Sequence, residues 1–454
     1  QAGQKRCLSA ASAPHDAHFG THVIAYNAST SMKLSDKYLA EKGMVYLTGI
    51  QALVRLPLDQ MRRYRRAGLN TGAFMFGYEG SPLGGYDLAL SGSRKLLDEF
   101  NIHFQPGVNE DLAATSVMGS QIAEVLGKSK VDGVLGIWYG KGPGVDRSGD
   151  IFRHANLAGT GKNCAALVLA GDDHVSKSST IPHQSDFSLY NFGIPFLYPG
   201  NVQEVLDYGL FAAALSRFSG AWVGMKMVTD VCDGGGTAAV DPDAPHIQVP
   251  DGYQRFTDVR LIPPFSLALE NEVNIRRLEA ARSFASLNRL NHWRGARQAR
   301  VGLLSAGKSY YDLMQALRDL EIREEDLDQL GIRIGKVAMP FPLEPRFLRD
   351  FSSGLEKLLV VEEKRSFLEL QVREILFDEA GQVRDLRRSE RFEAHRLIEE
   401  LMIAANEAVA RELERRGFPL LYRVHDEPVE EKLLAITPVM GRLGIPMKVG
   451  KGGL

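Results

Sequence analysis

The segment GAFMFGYEGSPLGGYD, residues 72–87, sets an apolar run against a turn of small residues. Three further apolar runs, GVLGIWYG at 133–140, AALVLAG at 165–171 and WVGMKMVTD at 222–230, also border loops rich in Gly, Ser, Asp or Pro. Short apolar strands that alternate with helical patterns are typical of a parallel sheet flanked by helices. We therefore predict that residues 41–240 form an α/β domain.

A second, smaller α/β pattern begins at Val301. The runs VGLLSAG, IRIGKVAM and LLVVEEK predict strands at 301–307, 332–339 and 358–364, with helices through 310–320 and near 345–351. With a helix at 392–416, this pattern predicts a Rossmann-type domain over residues 301–425. Residues 426–454 are interpreted as the start of a connection to a further domain.

The remaining segments are assigned mainly from composition. Residues 1–40 are polar and lack periodicity, which indicates a leader that is possibly disordered. Residues 241–300 are interpreted as a linker with a helix near 270–288, and DGGGTAAVDPDAPHIQVPDG at 233–252 as a loop or linker. Arg294, Arg297 and Arg300 are expected to lie on a solvated helix face.

The amino-acid composition of the chain argues against several classes of protein. With 44% hydrophobic residues, 24% charged residues and a formal net charge of −2, the chain resembles an ordinary soluble protein, and nucleic acid is not suggested as a partner. No apolar stretch approaches twenty residues, so no membrane association is expected and the cytoplasm is the default location. Three scattered cysteines are too few for a disulfide framework or a four-thiolate cluster.

Two segments carry candidate chemistry. In residues 78–85, small side chains let backbone approach a ligand, although a tight turn alone would explain them. In VNEDLAATSVMGSQIAEVLG, residues 108–127, Asn109 occupies the capping position and Glu110 begins a helix. An acidic residue there can serve only to compensate the helix dipole. One helical face is predicted to contain Ala114, Met118, Ile122, Val125 and Leu126.

These two segments are followed, in order, by WYGKGPGVDRSGD at 138–150 and LAGDDHVSKSSTIPHQSD at 169–186. In this order the motifs resemble the thiamine-diphosphate-dependent 2-oxoacid:ferredoxin oxidoreductases, and especially the large fused bacterial indolepyruvate type. From about Leu34 onward, the resemblance implies a pyrimidine-binding domain, then a transketolase-C-like domain. A diphosphate-binding domain is expected outside this chain.

The resemblance implies roles for several residues. Glu110 matches the family glutamate that hydrogen-bonds N1′ of the cofactor's aminopyrimidine and favours the imino tautomer needed to generate the nucleophile. Gly80 and Ser81 would lie against cofactor and substrate, where Ser81 replaces the family's threonine and Glu79 its proline. Ser retains the hydrogen-bonding hydroxyl of Thr but lacks its methyl group.

The two later loops offer further candidates. Lys141 and Arg147 are possible partners for a substrate carboxylate. His183 is a candidate for substrate contact and Gln184 for cofactor contact, although both can also be ordinary polar loop residues. Asp172, Asp173, His174 and His183 lack a recognised metal-ligand spacing, so no metal site is predicted.

The family's Gly-Asp-Gly and Asn signature for magnesium does not occur in this sequence, and VCDGGGT at 231–237 is interpreted as a loop. The ligands of Mg²⁺ and diphosphate, and an iron–sulfur cluster, are therefore expected outside this chain. The implied reaction is the oxidative decarboxylation of a 2-oxoacid, such as indolepyruvate or a related arylpyruvate or branched acid. It consumes coenzyme A and releases the acyl-coenzyme A and carbon dioxide, with ferredoxin as electron acceptor. A homodimer is expected for the complete protein.

Two alternatives remain open at the level of sequence. The chain could belong to a non-oxidative thiamine-diphosphate enzyme, which would transfer no electrons. It could also be a non-catalytic α/β subunit that retains the scaffold, and an outward-facing Glu110 would favour that interpretation.

Overall fold

The computed structural model describes residues 34–123, 126–127, 129–177, 179–241, 243–377, 411, 414 and 415. The chain divides into two units, Gln1–Gln382 and Val383–Leu454, and every element named here lies in the first. The helix predicted at 392–416 and the tail at 426–454 fall outside the continuously described ranges.

The strands are β1 (Gly43–Thr48), β2 (Thr71–Gly77), β3 (Ile102–Pro106), β4 (Gly133–Lys141), β5 (Ala165–Asp172), β6 (Phe196–Leu197), β7 (Trp222–Val228), β8 (Gly235–Val240), β9 (His292–Gly295), β10 (Val301–Ala306), β11 (Ile332–Val337) and β12 (Lys357–Val361). The helices are α1 (Asp36–Leu39), α2 (Gly49–Arg66), α3 (Tyr86–Gly92), α4 (Arg94–Glu99), α5 (Glu110–Ile122), α6 (Gly142–Arg147), α7 (Gly149–Ala158), α8 (Asp186–Asn191), α9 (Val202–Ser219), α10 (Thr229–Asp233), α11 (Phe265–Asn271), α12 (Leu278–Leu287), α13 (Gly307–Asp319), α14 (Leu327–Leu330), α15 (Pro345–Ser352) and α16 (Leu368–Phe377). A π-helical turn, Glu272–Arg277, joins α11 to α12, and a 3₁₀ turn, Glu324–Asp326, precedes α14.

The larger sheet has six parallel strands in the order β3-β2-β4-β5-β7-β6. Every residue of β5 and β7 is buried, whereas buried and exposed residues alternate at the start of the edge strand β3. Continuous apolar strands are what a parallel sheet covered on both faces requires. The predicted α/β fold with a parallel sheet is confirmed, and β2, β4, β5 and β7 correspond to its four apolar runs.

A two-stranded antiparallel ribbon, formed by the first and last strands of this sheet domain, is separate from the six-stranded sheet. Strand β1 pairs with β8, so that Gly43 lies opposite Val240. The prediction of a loop or linker across 231–252 was therefore wrong for residues 231–240, which form part of α10 and all of β8. Three consecutive glycines suggested a chain break, but pairing with a strand almost two hundred residues earlier overrides local propensity.

Helix α2 also orders part of the predicted leader. Thr48 and Gln51 form a capping box at its start. The buried Arg55 guanidinium donates hydrogen bonds to the backbone carbonyls of Lys37 and Ala40, and it pairs with Asp59 at 2.8 Å. Residues 36–39 consequently form α1, which corrects the disordered-leader interpretation for this stretch.

The smaller sheet has the order β12-β10-β11-β9, with β10 parallel to β11 and β12 and with β9 antiparallel to β11. This confirms a second, smaller α/β domain. Arg294 lies within β9 and pairs with Glu324 at 3.2 Å, so the predicted solvated helix face was wrong. The cause is the register with β11, which the local run of arginines does not indicate.

The regions around the six-stranded and the four-stranded sheet are joined by backbone and side-chain contacts. The Phe196 N–H donates to the Phe341 carbonyl oxygen at 2.9 Å. The buried Glu204 carboxylate on α9 contacts the Lys336 ammonium of β11 and accepts a hydrogen bond from the Tyr311 hydroxyl at 2.6 Å. These contacts place α9 of the larger sheet against β11 and α13 of the smaller one.

Across the described residues, no helix is long and apolar enough to cross a lipid bilayer.

Candidate functional site

The strand order reverses between β2 and β4. From β2 the chain moves outward to β3, and it then returns past β2 to β4. In open α/β sheets, ligands bind beyond the carboxyl ends of the strands at such a reversal. The loop at 78–85 follows β2, α5 follows β3 and α6 follows β4, so the topology brings most of the predicted site residues to one edge.

Glu110 begins α5, as predicted, and the Asn109 side chain caps that helix by accepting a hydrogen bond from the Leu112 N–H. The Glu110 residue is only 6% exposed, and its backbone carbonyl accepts a hydrogen bond from the Trp138 indole at 3.1 Å. Residues that begin a helix for dipole compensation alone are usually exposed. Compensation of the helix dipole alone therefore does not explain why Glu110 is buried.

The buried face of α5 differs from the predicted one. It contains Glu110, Ala113, Ala114, Val117 and Gln121, and the helix ends at Ile122. The predicted face is rotated relative to it, because Val117 and Gln121 pack against Gly136 of β4. Leu126 is 53% exposed, and Val125 lies outside the described residues.

Helix α6 packs directly against Glu110. A Cβ atom on Gly144 would lie 2.6 Å from Cγ of Glu110, so only glycine allows this approach. From the same helix, the Arg147 guanidinium lies 3.7 Å from the Glu110 carboxylate and 3.1 Å from that of Asp111. The described residues provide no other polar partner for the Glu110 carboxylate, whereas Arg147 is shared between two acidic groups.

The turn after β2 lies beside β4 and β5. The Ser81 hydroxyl donates a hydrogen bond to the Asp173 carboxylate at 3.3 Å. Gly80 packs beneath the aliphatic stem of Lys141, because a Cβ atom at Gly80 would lie 2.9 Å from the lysine Cδ. In the part of the chain that the structure describes, the Lys141 ammonium has no carboxylate partner. The fold thus brings Gly80, Ser81 and Lys141 together.

Asp173 holds the loop that follows β5. This residue is almost fully buried, and its carboxylate accepts hydrogen bonds from the backbone N–H groups of Lys177 and Ser179. Together with the bond from Ser81, these contacts join the turn after β2 to the loop after β5.

His183 lies between two carboxylates. Its Nε2 is 2.8 Å from Asp146 of α6, and its Nδ1 is 3.3 Å from Asp172 at the end of β5. Burial would lower the pKa of His183, but the two carboxylates outweigh it and raise the pKa to about 9. Its ring nitrogens are therefore engaged within the protein.

Gln184, the residue after His183, contacts the smaller domain. Its side-chain amide exchanges two hydrogen bonds of 3.1 Å with the backbone of Arg365. Nearby, the His174 imidazole lies 2.9 Å from Glu363, which follows β12. The loop after β5 therefore carries contacts both to α6 and to the smaller domain.

Lys226 was missed by the sequence analysis. It is 3% exposed in β7, and its ammonium lies 2.6 Å from Asp186 and 3.8 Å from Asp172. Burial opposes the charge, but these carboxylates raise the pKa of Lys226 above its usual value. A single lysine within an otherwise apolar strand was the available signal. The described residues contain no group of three or more His, Cys, Asp or Glu placed to hold a metal ion.

Known proteins resemble this chain in several ways. The indolepyruvate oxidoreductase domain family matches residues 291–418. Indolepyruvate oxidoreductase subunit IorA of Methanothermobacter thermautotrophicus is 25% identical over 345 residues, which cover 75% of this chain and 50% of that protein. The chain thus spans about half the length of the IorA proteins that it matches. A solved structure of 2-oxoglutarate:ferredoxin oxidoreductase from Magnetococcus marinus, with 2-oxoglutarate, coenzyme A and succinyl-CoA bound, has a TM-score of 0.53 at 14% identity; it covers 73% of this chain and 60% of that chain.

One similarity was not anticipated. Ribonuclease R of Aquifex aeolicus is 45% identical over 75 residues, which cover 16% of this chain and 11% of that protein. A match over 16% of this chain indicates a shared segment, but it does not identify the family of the whole chain. The fold, the IorA relatives and the domain match all agree with the resemblance carried by the motifs. The chain is therefore similar to the IorA subunits of indolepyruvate oxidoreductases, and its residues 291–418 match the indolepyruvate oxidoreductase domain family.

Proposed function

We propose that this chain supplies the aminopyrimidine-binding part of a thiamine-diphosphate-dependent 2-oxoacid:ferredoxin oxidoreductase, with Glu110 as its catalytic acid. The observation that carries the proposal is the buried Glu110 carboxylate at the strand-order reversal, held by a glycine-lined helix. The non-catalytic alternative called for a Glu110 on an outer face, which is not the arrangement found.

The residues present fit one end of thiamine diphosphate. The Glu110 carboxylate has only Arg147 as a polar partner among the described residues, so an oxygen remains available to a ring nitrogen. Gly80 and Ser81 lie in a turn whose small side chains allow a ligand to approach the backbone closely. Magnesium needs oxygen ligands and the diphosphate needs hydrogen-bond donors, and we assign both sets to another part of the complete protein.

In this proposal, Glu110 would hold the aminopyrimidine ring of the cofactor through a hydrogen bond from its carboxyl group, and it would exchange a proton with that ring. When bound, thiamine diphosphate supplies the carbon nucleophile and the electron sink for decarboxylation. Arg147 holds the Glu110 carboxylate in place through an ion pair of 3.7 Å.

Lys141 is the better candidate to bind the substrate carboxylate. Arg147 is already shared between Glu110 and Asp111, whereas the described residues give the Lys141 ammonium no carboxylate partner. An ammonium attracts a carboxylate as a point charge. The Ser81 hydroxyl can donate a hydrogen bond to the substrate if its present hydrogen bond to the Asp173 carboxylate is broken.

For the complete protein we propose oxidative decarboxylation of an aryl or branched 2-oxoacid to its acyl-coenzyme A, with ferredoxin as electron acceptor. The iron–sulfur cluster, the metal ligands and half of a homodimeric active site would lie outside this chain, and the cytoplasm is its proposed location. The IorA relatives and the fold of the 2-oxoglutarate enzyme support this proposal over a non-oxidative thiamine-diphosphate enzyme.

The direct test is reduction of a viologen dye or ferredoxin by the complete natural protein. Indolepyruvate, phenylpyruvate and 2-oxoisovalerate would be compared, with and without coenzyme A and thiamine diphosphate. We expect reduction that requires the 2-oxoacid and the cofactor and is accelerated by coenzyme A. Release of carbon dioxide and aldehyde without dye reduction would instead identify a non-oxidative decarboxylase.

The contact between α6 and Glu110 gives a second prediction. We expect Gly144→Ala to lower the rate of dye reduction about 10²-fold, since a displacement of about 1 Å in a catalytic group has effects of this size. The chain should remain folded, because the added methyl group meets a flexible side chain. Gly119→Ala on α5 is the matched control, as a Cβ atom there meets nothing within 4 Å. Equal activities of the two variants would contradict the role of this contact.

A further inference from the structure

The imidazole of His183 joins the end of β5 to α6. Its two nitrogens face Asp172, which is fully buried, and Asp146, which is the fifth residue of α6. The ring also lies directly on the first residue of that helix, since a Cβ atom at Gly142 would be 2.0 Å from its Nδ1. His183 therefore contacts α6 at both its first and its second turn.

Helix α6 is too short to hold its position through its own hydrogen bonds. It has six residues, and isolated helices shorter than about 12 residues are marginal in water. The Asp146 carboxylate is fixed by His183 on one oxygen and by the Ser188 hydroxyl, at 2.5 Å, on the other. These bonds tie α6 to the loop after β5 and to α8.

The same helix carries the two groups that touch Glu110. Gly144 packs against the Glu110 side chain, and Arg147 pairs with its carboxylate. A shift or rotation of α6 would move both contacts at once. The position of the Glu110 carboxylate thus depends on what holds Asp146.

We propose that His183 is a positioning residue, whose imidazolium bridges Asp172 and Asp146 and thereby holds α6 against Glu110. This inference rests on the proposed function of Glu110. It assigns His183 a role different from direct contact with substrate, because both ring nitrogens already have carboxylate partners.

The bridge requires a charged imidazole, since both partners are acceptors when ionised. The groups that face the bridge are Asp146 and Asp172, together with the Ser185 hydroxyl, which donates to Asp172 and lies 3.4 Å from Nδ1 of His183. Lys226 and His174 approach the other Asp172 oxygen, at 3.8 and 3.9 Å. Because the pKa of His183 is raised to about 9, the charge persists at neutral pH. The bridge is complete below the ordinary histidine pKa of about 6.5 and is lost as the pH rises through about 9.

The test combines kinetics with a titration. In the complete natural protein, His183→Gln is expected to lower kcat about 10- to 100-fold and to leave KM for the 2-oxoacid nearly unchanged, because α6 no longer holds Glu110. The wild-type rate should fall above a pH of about 9, and this alkaline limb should disappear in the variant. In the 454-residue chain, the His183 ring proton resonance should titrate with a midpoint near 9, and in Asp146→Asn the midpoint should move towards about 6.5.

The matched control is His154→Gln, since His154 lies half-exposed on α7 beside a single carboxylate, Asp150. A raised KM with an unchanged kcat in His183→Gln would overturn the inference and identify a substrate contact. A wild-type midpoint near the ordinary histidine value would also overturn it. Full activity of Glu110→Gln would instead overturn the proposed function, so the two failures are distinguishable.

Discussion

Glu110→Gln is expected to lower turnover of the complete natural protein by about 10²- to 10⁴-fold, which is the usual contribution of a general acid or base. Glutamine has nearly the same size and can occupy the same buried position at the start of α5. Its amide cannot exchange a proton with the cofactor ring. The loss should therefore appear in kcat, while cofactor binding, followed by calorimetry with thiamine diphosphate and Mg²⁺, persists.

Glu99→Gln provides the control for this substitution, because Glu99 is an exposed residue at the end of α4. It should leave turnover unchanged. If Glu110→Gln retains full turnover under conditions where the wild type reduces dye, Glu110 is not the catalytic acid and the chain contributes only a scaffold to the enzyme.

Lys226→Met is expected to destabilise the folded chain by about 3–5 kcal/mol, the usual cost of removing one partner from a buried ion pair. Methionine fills a similar volume, so the main loss is electrostatic. The substitution leaves the buried carboxylates of Asp186 and Asp172 without their ammonium partner. Urea denaturation of the 454-residue chain would measure the free energy of unfolding.

Lys177→Met removes a lysine from an ion pair of comparable length, 3.0 Å with Asp233, but both side chains are more than half exposed. Such surface pairs contribute little to stability. The double variant Lys226→Met with Asp186→Leu should recover part of the loss, since it removes the carboxylate that lies 2.6 Å from the Lys226 ammonium. Equal effects of Lys226→Met and Lys177→Met would refute the role of burial.

The sequence was informative where the signal was local. The position of Glu110 followed from a capping asparagine and an acidic residue before a helical pattern, and the structure has this arrangement. Four strands of the large sheet were predictable because continuous apolar runs fit a parallel sheet that is covered on both faces. The roles of Ser81, Lys141 and Arg147 stay predictions, although the fold brings their loops to one edge.

The sequence did not predict the features that depend on contacts between residues far apart in the chain. Asp146 of α6 and Asp172 of β5 meet at His183 in the loop after β5, and no spacing in the chain indicates this meeting. Strand β8 forms because β1, far earlier in the chain, offers it a partner. Burial of a charged side chain such as Lys226 likewise depends on which carboxylates the fold brings beside it.

The ribbon of β1 and β8 has an evolutionary consequence. With Gly43 opposite Val240, the polypeptide enters and leaves the large sheet domain at neighbouring points. Domains whose ends lie close together can be inserted into other chains or rearranged without strain on the host. The neighbouring ends of the large sheet domain are therefore compatible with its insertion into another chain as a module.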